Sequence, residues 1–440
     1  MIVHRIHGRM AARALAVWLV LTAGWCAPYA RAATVVDPGT LTGKLIMGYQ
    51  GWFGCPGDVT HGGWEHWFAG SWPTVDMLPD VSELAASETC RTPLRRADGS
   101  YVDVFSSYNA ATVDRHFAWM QQYGIDGVAV ERFATHLVKP FTLKRMDTVL
   151  GNVRRAAEAH GRVFYIMYDL SGMPPDKLSL VVQDWARLEQ SGLTRSPAYL
   201  RHRGHPLLAL WGLGFAGRKM TPHDAATLLD ALTRASAASG GVTFMGGVPS
   251  YWLTRDHDAS ADPGWTQVWR RLGVISPWSV GRYHDDASAN LYRTTVIAPD
   301  ITAAKAMGVD YMPVVFPGFS WKNLMLFRNH AARVSGNAIP RRCGRFYWRQ
   351  IYNARSAGAT MIYNAMFDEV DEGTAMFKVL ASAAQAPVAG MPRGDGFVTL
   401  DADGCHLPSD WYLRLAGAAT SQLRAGTPPS TSLPFPIPTK

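Results

Sequence analysis

Residues 359–367 form a nearly continuous apolar run, ATMIYNAMF, which leads directly into the acidic sequence DEVDEGT at residues 368–374. An apolar run of this length is typical of a parallel strand that is buried on both faces. The acidic residues would then lie just beyond the carboxyl end of that strand. The fold class therefore depends on whether similar runs repeat along the chain.

Seven similar runs precede this one. They are Lys44–Trp52, Gly127–Phe133, Val163–Leu170, Leu207–Leu213, Val242–Pro249, Val274–Val280 and Tyr311–Phe316. Helix-like stretches lie between them, at residues 111–123, 143–160, 177–191, 222–238, 301–307 and 346–356. Eight strands that alternate with helices predict a single (β/α)8 TIM barrel. An open doubly wound sheet is the alternative, but no GxGxxG or GxxxxGK[ST] motif follows any strand.

Three regions lie outside this repeat. Residues 1–32 are predicted to be a secretory signal peptide, with a basic start, an apolar stretch at Ala14–Thr22 and the small-x-small sequence Ala30-Arg31-Ala32. Residues 54–110 form a long loop after strand 1, and residues 426–440 a Pro-rich tail that is expected to be disordered. The barrel domain is therefore assigned to residues 33–425.

Charge and composition exclude several classes of protein. The content of 48% hydrophobic and 18% charged residues excludes disorder of the bulk of the chain. The net charge of +8 falls to +4 if four Arg leave with the signal peptide. The remaining basic clusters, at residues 201–203 and 341–345, are short, so no nucleic-acid partner is expected. The apolar stretch of the signal is too short to span a bilayer, which predicts a secreted or periplasmic protein without stable membrane insertion.

Four cysteines remain after the predicted cleavage, namely Cys55, Cys90, Cys343 and Cys405. In an oxidising compartment an even number of cysteines predicts two disulfides, with three possible pairings. Of these we favour Cys55–Cys90 and Cys343–Cys405. No CxxC pair or His/Cys spacing indicates zinc, and neither a metal nor an organic cofactor is expected.

The end of the eighth strand carries four carboxylates within five residues, Asp368, Glu369, Asp371 and Glu372. Active sites of TIM barrels lie beyond the carboxyl ends of the strands. Crowded carboxylates repel one another and raise the pKa of at least one of them, which keeps a general acid protonated near neutral pH. The alternative is that these acids cap the following helix.

Aromatic and acceptor side chains recur at most of the other strand ends. Rings that face sugar C–H groups, together with carboxylates and amides that accept from hydroxyls, are typical of a carbohydrate site. Each single Trp has the alternative of a core position, and His66 has the alternative of a structural role. The candidates for sugar contact are Tyr49, Gln50, Trp52, Trp64, His66, Trp67, Glu131, Asp169, Trp211, Tyr251, Trp252, Trp278, Trp321 and Asp368.

Three stretches resemble glycoside hydrolase family 99 and its family 71/99-like relatives. The stretch at residues 47–56 (MGYQGWFGCP), with GWEHW at residues 63–67, is similar to the opening of that family. YGIDGV at residues 123–128 is similar to its second-strand signature, and residues 364–374 are similar to its W-N-E-W-x-E-G-T motif. The two Trp and the Asn of the motif are replaced by Phe367, Val370 and Asp368.

The resemblance implies a barrel enzyme that cleaves α-linked glycans such as mannans with retention of configuration. By position, the two catalytic Glu of the family correspond to Glu369 and Glu372. The resemblance assigns Glu369 the role of a base on the sugar 2-hydroxyl and Glu372 that of the acid/base. Because Asp368 replaces the Asn of the family motif, the resemblance does not determine which sugar is bound. The alternatives are a catalytically silent carbohydrate-binding barrel, or a hydrolase in which Asp368 or Asp371 replaces one Glu.

Overall fold

A closed parallel sheet forms the centre of the molecule. In chain order its strands are β1 (Leu45–Tyr49), β2 (Gly127–Phe133), β3 (Val163–Asp169), β4 (His205–Trp211), β5 (Thr243–Pro249), β6 (Val274–Trp278), β7 in two short pieces (Asp310–Tyr311 and Val314–Val315) and β8 (Ile362–Asn364). The eight positions are those of the eight predicted apolar runs. Every residue of β1 and β5 is buried, which explains why their sequences do not alternate.

The two pieces of β7 close the barrel. The first piece pairs with β6 and the second with β8, both in parallel. β8 continues to β1, and β1 to β2. Because the two pieces are separated by residues 312 and 313 alone, the two ends of the sheet meet. The predicted (β/α)8 barrel is confirmed.

Ten α-helices accompany the strands in the part of the chain that the structure describes. They are α1 (Ala110–Tyr123), α2 (Pro140–His160), α3 (Ser179–Gln190), α4 (Pro222–Ala235), α5 (Trp265–Trp269), α6 (Asp286–Tyr292), α7 (Ala298–Ala306), α8 (Lys322–Asn329), α9 (Arg345–Ser356) and α10 (Trp411–Ala425). None of the described helices is long and apolar enough to cross a membrane.

The computed structural model describes residue 1 and residues 35–329, 335–390 and 396–438. The predicted signal peptide therefore falls almost entirely outside the described residues. From Val35 onward the chain makes one compact unit.

The inside of the barrel is filled by large side chains. The Tyr165 hydroxyl lies 3.4 Å from Met245 Sδ, and the Tyr363 hydroxyl lies 3.9 Å from Met167 Sδ. Gly48 leaves room for this packing, since a Cβ at that position would lie 2.1 Å from Met366 Sδ. A ligand must therefore bind above this layer, at the carboxyl ends of the strands.

The predicted long loop after β1 contains two short antiparallel hairpins. Phe68–Ala69 pairs with Trp72–Pro73, and Thr89–Arg95 pairs with Tyr101–Phe105. The disulfide Cys55–Cys90 links the start of this loop to the second hairpin. A second disulfide joins Cys343 to Cys405, so both favoured pairings are confirmed.

The Pro-rich tail differs from the predicted disorder. Among its described residues it has no helix or strand, but Leu433 and Ile437 pack against the core. The Trp348 Nε1 donates to the Ser430 carbonyl at 3.1 Å. Proline prevents regular structure here, whereas the apolar residues between the prolines still gain from burial.

Candidate active site

Asp368 ties the end of β8 to the end of β1. Its two carboxylate oxygens accept the backbone N–H groups of Gln50, at 2.8 Å, and Gly51, at 2.9 Å. Burial raises the pKa of this fully enclosed carboxyl to about 6. The predicted contact of Asp368 with sugar is therefore corrected: its oxygens are occupied by backbone, and it positions the loop that carries Gln50.

Glu369 is held by three donors. Its Oε2 accepts from Gln50 Nε2 at 2.6 Å, and its Oε1 accepts from the backbone N–H groups of Asp371, at 2.7 Å, and Glu372, at 3.2 Å. Burial raises its pKa well above the ordinary value, and the charges of Asp371 and Glu372 add to the rise. Its orientation is fixed before any ligand binds, and the raised pKa makes its carboxylate a stronger base.

Glu372 is the more accessible of the two predicted catalytic residues. It is partly exposed, whereas Glu369 is 3% exposed. Burial of its carboxyl raises the pKa of Glu372, and the positive charge of Arg328 opposes that rise. A carboxylic acid that keeps its proton towards neutral pH can serve as a general acid.

Arg328 is a residue of this site that the sequence did not indicate. It lies in the last turn of α8 and is exposed, and its charge acts on Glu372, Asp371 and His66. α8 follows the seventh strand, so a search of the helix after each strand could have found it. A search limited to strand ends could not.

Asp371 holds the long loop against the segment that follows β8. His66 Nδ1 lies 3.0 Å from Asp371 Oδ2. Burial and the charge of Arg328 lower the pKa of His66 to about 4, while burial and the charge of Glu372 raise that of Asp371. The contact is therefore a hydrogen bond that involves a neutral imidazole at neutral pH, since a charged pair would require the opposite shifts.

His66 in turn orients Trp52. The Trp52 ring stacks on His66 at a centroid distance of 3.8 Å and on Phe133 at 5.0 Å. Trp52 thus packs parallel to two rings, and it lines a cavity of the site. Its Nε1 is buried and has no acceptor among the described residues.

Gln50, Trp52 and His66 border a cavity of about 260 Å³ at the carboxyl ends of β1 and β2. Glu369 adjoins this cavity through its hydrogen bond with Gln50. Buried polar atoms without a hydrogen-bond partner among the described residues lie on four of its lining residues: Gln50 Oε1, Trp52 Nε1, Glu131 Oε2, and Arg145 Nε and Nη2. Unpaired buried polar groups destabilise a protein unless a ligand or water pairs with them. Acceptors and donors that converge in this way suit a polyhydroxylated ligand.

Three further lining residues of the cavity were not predicted. Arg145 forms an ion pair with Glu65, and the Tyr108 hydroxyl donates to the second oxygen of Glu65 at 2.7 Å. Arg145 is 8% exposed, and its Nε and Nη2 are buried without a described acceptor. Because Glu65 lies in the loop and Arg145 on α2, no local pattern could have brought them together.

Glu131 and Asp169 extend the acidic site along the barrel. Burial raises the pKa of Glu131 well above its ordinary value, and the charges of Asp169 and Glu369 add to this. Burial also raises the pKa of Asp169, whose Oδ1 accepts from the Ser171 backbone N–H at 2.6 Å. Both residues thus belong to the same electrostatic cluster as Glu369.

Four predicted aromatic residues are half-buried at or near other strand ends. Trp211 and Trp278 contact each other edge to face, at 5.6 Å between centroids. Tyr251 lies against His257 at 4.4 Å, and Trp321 against Phe319 at 5.3 Å. These rings remain available to a ligand, and the Trp211 Nε1 has no acceptor among the described residues.

Three predicted sugar contacts are corrected to core residues. Tyr49 is fully buried, and its hydroxyl lies 2.9 Å from His116 Nδ1. Trp67 is fully buried and donates to the Phe105 carbonyl at 2.8 Å. Trp252 is 2% exposed and donates to Asp300 at 2.8 Å. In each case an acceptor inside the protein satisfies the polar group that sequence analysis assigned to sugar.

Trp64 lies in a different place from the other candidates. It is half-buried against Phe68 at 5.0 Å and lines a separate cavity beside Cys90 and Ser106.

Within the described residues, no group of three or more His, Cys, Asp or Glu side chains is arranged to hold a metal ion. The site is thus built from carboxylates, amides and rings.

The fold has counterparts among solved structures. The chain is similar to a GH99 endo-α-mannosidase from Bacteroides thetaiotaomicron in complex with bis-tris-propane, with 16% identity and a TM-score of 0.60 over 88% of this chain and 99% of that one. A second structure described as the GH99 endo-α-mannosidase from the same organism matches with 15% identity, a TM-score of 0.60 and the same coverage.

A third structure, described as a glycoside hydrolase-like protein, matches with 10% identity and a TM-score of 0.53 over 88% of this chain and 96% of that one. No protein-family model matches the sequence. No curated protein matches it either. At these identities the comparisons show a shared barrel architecture.

Proposed function

We propose that this protein is a secreted glycoside hydrolase that cleaves α-linked glycosidic bonds of a mannan-like or related poly- or oligosaccharide. The observation that carries the proposal is the placement of Glu369. Its carboxylate is fixed by two backbone N–H groups and by Gln50, and Gln50 lines a cavity that contains unpaired buried donors and acceptors. The similarity in fold to GH99 endo-α-mannosidases supports the same class of reaction.

Two of the carboxylates take the catalytic roles in this proposal. Glu369 accepts the proton of the sugar 2-hydroxyl as that oxygen attacks C1, and the C1–O bond to the leaving group breaks. Glu372 gives its proton to the leaving oxygen. The three N–H donors on Glu369 favour its ionised form, which suits a base, and burial raises the pKa of Glu372, which favours the protonated form of an acid.

The second half of the reaction restores both residues. Water attacks C1 of the 1,2-anhydro sugar and passes a proton to Glu372, while the C1–O2 bond breaks and O2 takes back the proton held by Glu369. Two displacements at C1 leave the anomeric configuration unchanged. Substrate-assisted enzymes of this kind are exceptions to the usual rule that relates carboxylate spacing to stereochemistry.

Secretion is part of the proposal. Two disulfides, Cys55–Cys90 and Cys343–Cys405, are consistent with an oxidising compartment outside the cytoplasm. They support the predicted signal peptide at residues 1–32 and a periplasmic or extracellular location.

A glycan screen tests the activity. The mature protein, Glu372→Gln and Glu158→Gln are incubated with α-mannans, α-glucans and arabinan- or xylan-type polysaccharides, and reducing ends are measured. Glu158 on α2 bonds Arg154 and Ser196, away from the cavity, and serves as the matched control. We expect release by the wild type and Glu158→Gln, and binding without release by Glu372→Gln.

Two results would contradict this expectation in different ways. Equal release by the wild type and Glu372→Gln would remove Glu372 from the mechanism. Binding of a glycan by all three proteins without release by any would favour a catalytically silent carbohydrate-binding barrel.

A further inference from the structure

A second cavity, of about 270 Å³, lies at the same end of the barrel. It is lined by residues 170–174, Gly212 and residues 217–220. Residues 170 and 212 directly follow Asp169 and Trp211, which are register partners on β3 and β4. The cavity therefore begins one residue beyond two side chains of the proposed substrate cleft.

The wall of this cavity is positively charged. Arg218 and Lys219 both line it and are exposed, and no carboxylate is among its lining residues. Neither side chain forms an ion pair with any residue that the structure describes. Elsewhere on the surface, cations such as Arg203 and Arg271 are paired with an Asp.

Backbone donors accompany the two cations. The N–H groups of residues 217–220 have no acceptor among the described residues. Gly212 and Gly217 have positive φ angles of 113° and 72° and no side chain to fill the cavity. Free backbone N–H groups beside Arg and Lys are the usual chemistry of anion recognition.

The cavity is electrostatically connected to the acidic site. The charge of Arg218 acts on Asp169, and Asp169 acts on Glu131 and thereby belongs to the cluster around Glu369. A glycan that lies along β2, β3 and β4 would thus reach from the carboxylates to Arg218. An anionic substituent would bind at the basic end and would be repelled at the acidic end, which would fix the direction of the chain.

We propose that this cavity is an anion subsite of the cleft, in which Arg218 and Lys219 bind a carboxylate, sulfate or phosphate group carried by the glycan. The inference rests on the proposed function, since it names the substrate class of the same site. The three anions share a planar or tetrahedral set of oxygens, which the Arg fork can bind with two hydrogen bonds.

Matched pairs of polymers test the inference. Binding of the Glu372→Gln protein is measured for polygalacturonate and its methyl ester, sulfated α-fucan and its desulfated form, and phosphorylated α-mannan and its dephosphorylated form. The same measurements are made with a protein that carries Arg218→Ala and Lys219→Ala in addition to Glu372→Gln. A control carries Arg234→Ala and Lys305→Ala instead, which removes equal charge from exposed positions on α4 and α7.

We expect at least one anionic polymer to bind about tenfold more tightly than its neutral partner at low salt, and this preference to weaken as salt is added. The preference should disappear without Arg218 and Lys219 and persist in the control. The pair of polymers that shows it identifies which anion is bound.

The inference is overturned if no charged polymer is preferred, or if the preference survives loss of Arg218 and Lys219. Neutral glycans that are bound and cleaved by the wild type would then leave the proposed function in place. If no polymer of either kind is bound or cleaved, the proposed function fails, and the inference fails with it.

Discussion

Gln50 Nε2 donates a hydrogen bond to Glu369 Oε2 at 2.6 Å, which joins the loop after β1 to the segment after β8. The backbone of Gln50 is fixed as well, because its N–H donates a hydrogen bond to Asp368 Oδ1. The neighbouring carboxylates Asp368 and Glu369 thus have different tasks. Asp368 fixes the position of Gln50, and Gln50 fixes the orientation of Glu369.

Asp368→Asn tests this arrangement through stability. Asn can accept only one of the N–H groups of Gln50 and Gly51, so we expect the free energy of unfolding at about pH 4, where the buried carboxyl of the wild type is uncharged, to fall by about 1–3 kcal/mol. Turnover should fall as well, because Gln50 no longer holds Glu369. Denaturant unfolding and kcat of the folded variant check both effects. Wild-type stability in the variant would contradict the positioning role.

The pH dependence of stability gives a second test of Asp368. Its pKa is about 6 in the folded protein and 3.8 in the unfolded chain, so the folded state binds more protons between these values. The stability that this group contributes is complete below about pH 4 and is lost as the pH rises to about 6. The loss is about 3 kcal/mol by linkage. The free energy of unfolding of the wild type should therefore fall over this pH range relative to that of Asp368→Asn. If the two proteins showed the same dependence on pH, the raised pKa of Asp368 would be contradicted.

Arg328 should set the alkaline limit of activity. Its charge lowers the pKa of Glu372, so Arg328→Gln should raise that pKa and keep the acid protonated to higher pH. We expect the alkaline limb of the kcat/KM profile to move to higher pH in Arg328→Gln and to stay in place in Arg328→Lys. A profile that does not move, or that moves to lower pH, would show that Glu372 does not govern this limb.

The fold could be read from the sequence because its strands are buried on both faces. Runs such as Val163–Asp169 are continuous in apolar residues for that reason, and their order fixes which ends meet. The carboxylates at residues 368–372 could be predicted as site residues because they directly follow the eighth apolar run, and active sites of such barrels lie beyond the carboxyl ends of the strands. Arg328 lies on the helix after β7 and is not at a strand end, so this logic missed it, and no local pattern marks Arg145, which reaches the site from α2.

The Trp residues show the limit of residue-type arguments. Trp252 and Trp211 both follow the pattern of a ring at a strand end, but Trp252 donates to Asp300, while Trp211 Nε1 has no described acceptor. The difference depends on α7, which supplies Asp300 from 48 residues away. Sequence near the strand contains no sign of it.

Trp252→Phe and Trp211→Ala should therefore separate stability from binding. Trp252→Phe removes a donor to Asp300, whose pKa burial raises to about 8, and we expect a loss of about 1–3 kcal/mol in the free energy of unfolding with an unchanged KM. Trp211→Ala should raise KM and change stability little, because the ring is half-buried. The reverse pattern would place Trp252 in the cleft.

Loss of the Cys55–Cys90 disulfide should affect both stability and the site. The bridge spans 35 residues, and closing a loop of that length stabilises a protein by about 3–4 kcal/mol. The loop carries Glu65 and His66, so Cys55→Ala with Cys90→Ala should also reduce turnover. Thermal unfolding and activity measure the two effects, and an active variant of unchanged stability would contradict this role of the bridge.

The central claim is that Glu369 and Glu372 cleave an α-linked glycan with retention. The most direct test is proton NMR of the anomeric signals during the first minutes of hydrolysis, with the glycan identified by the screen and with wild type, Glu369→Gln and Glu372→Gln. We predict that the wild type releases the α-anomer first and that neither variant releases product at a comparable rate. Initial release of the β-anomer, or hydrolysis at the wild-type rate by either variant, would contradict the account.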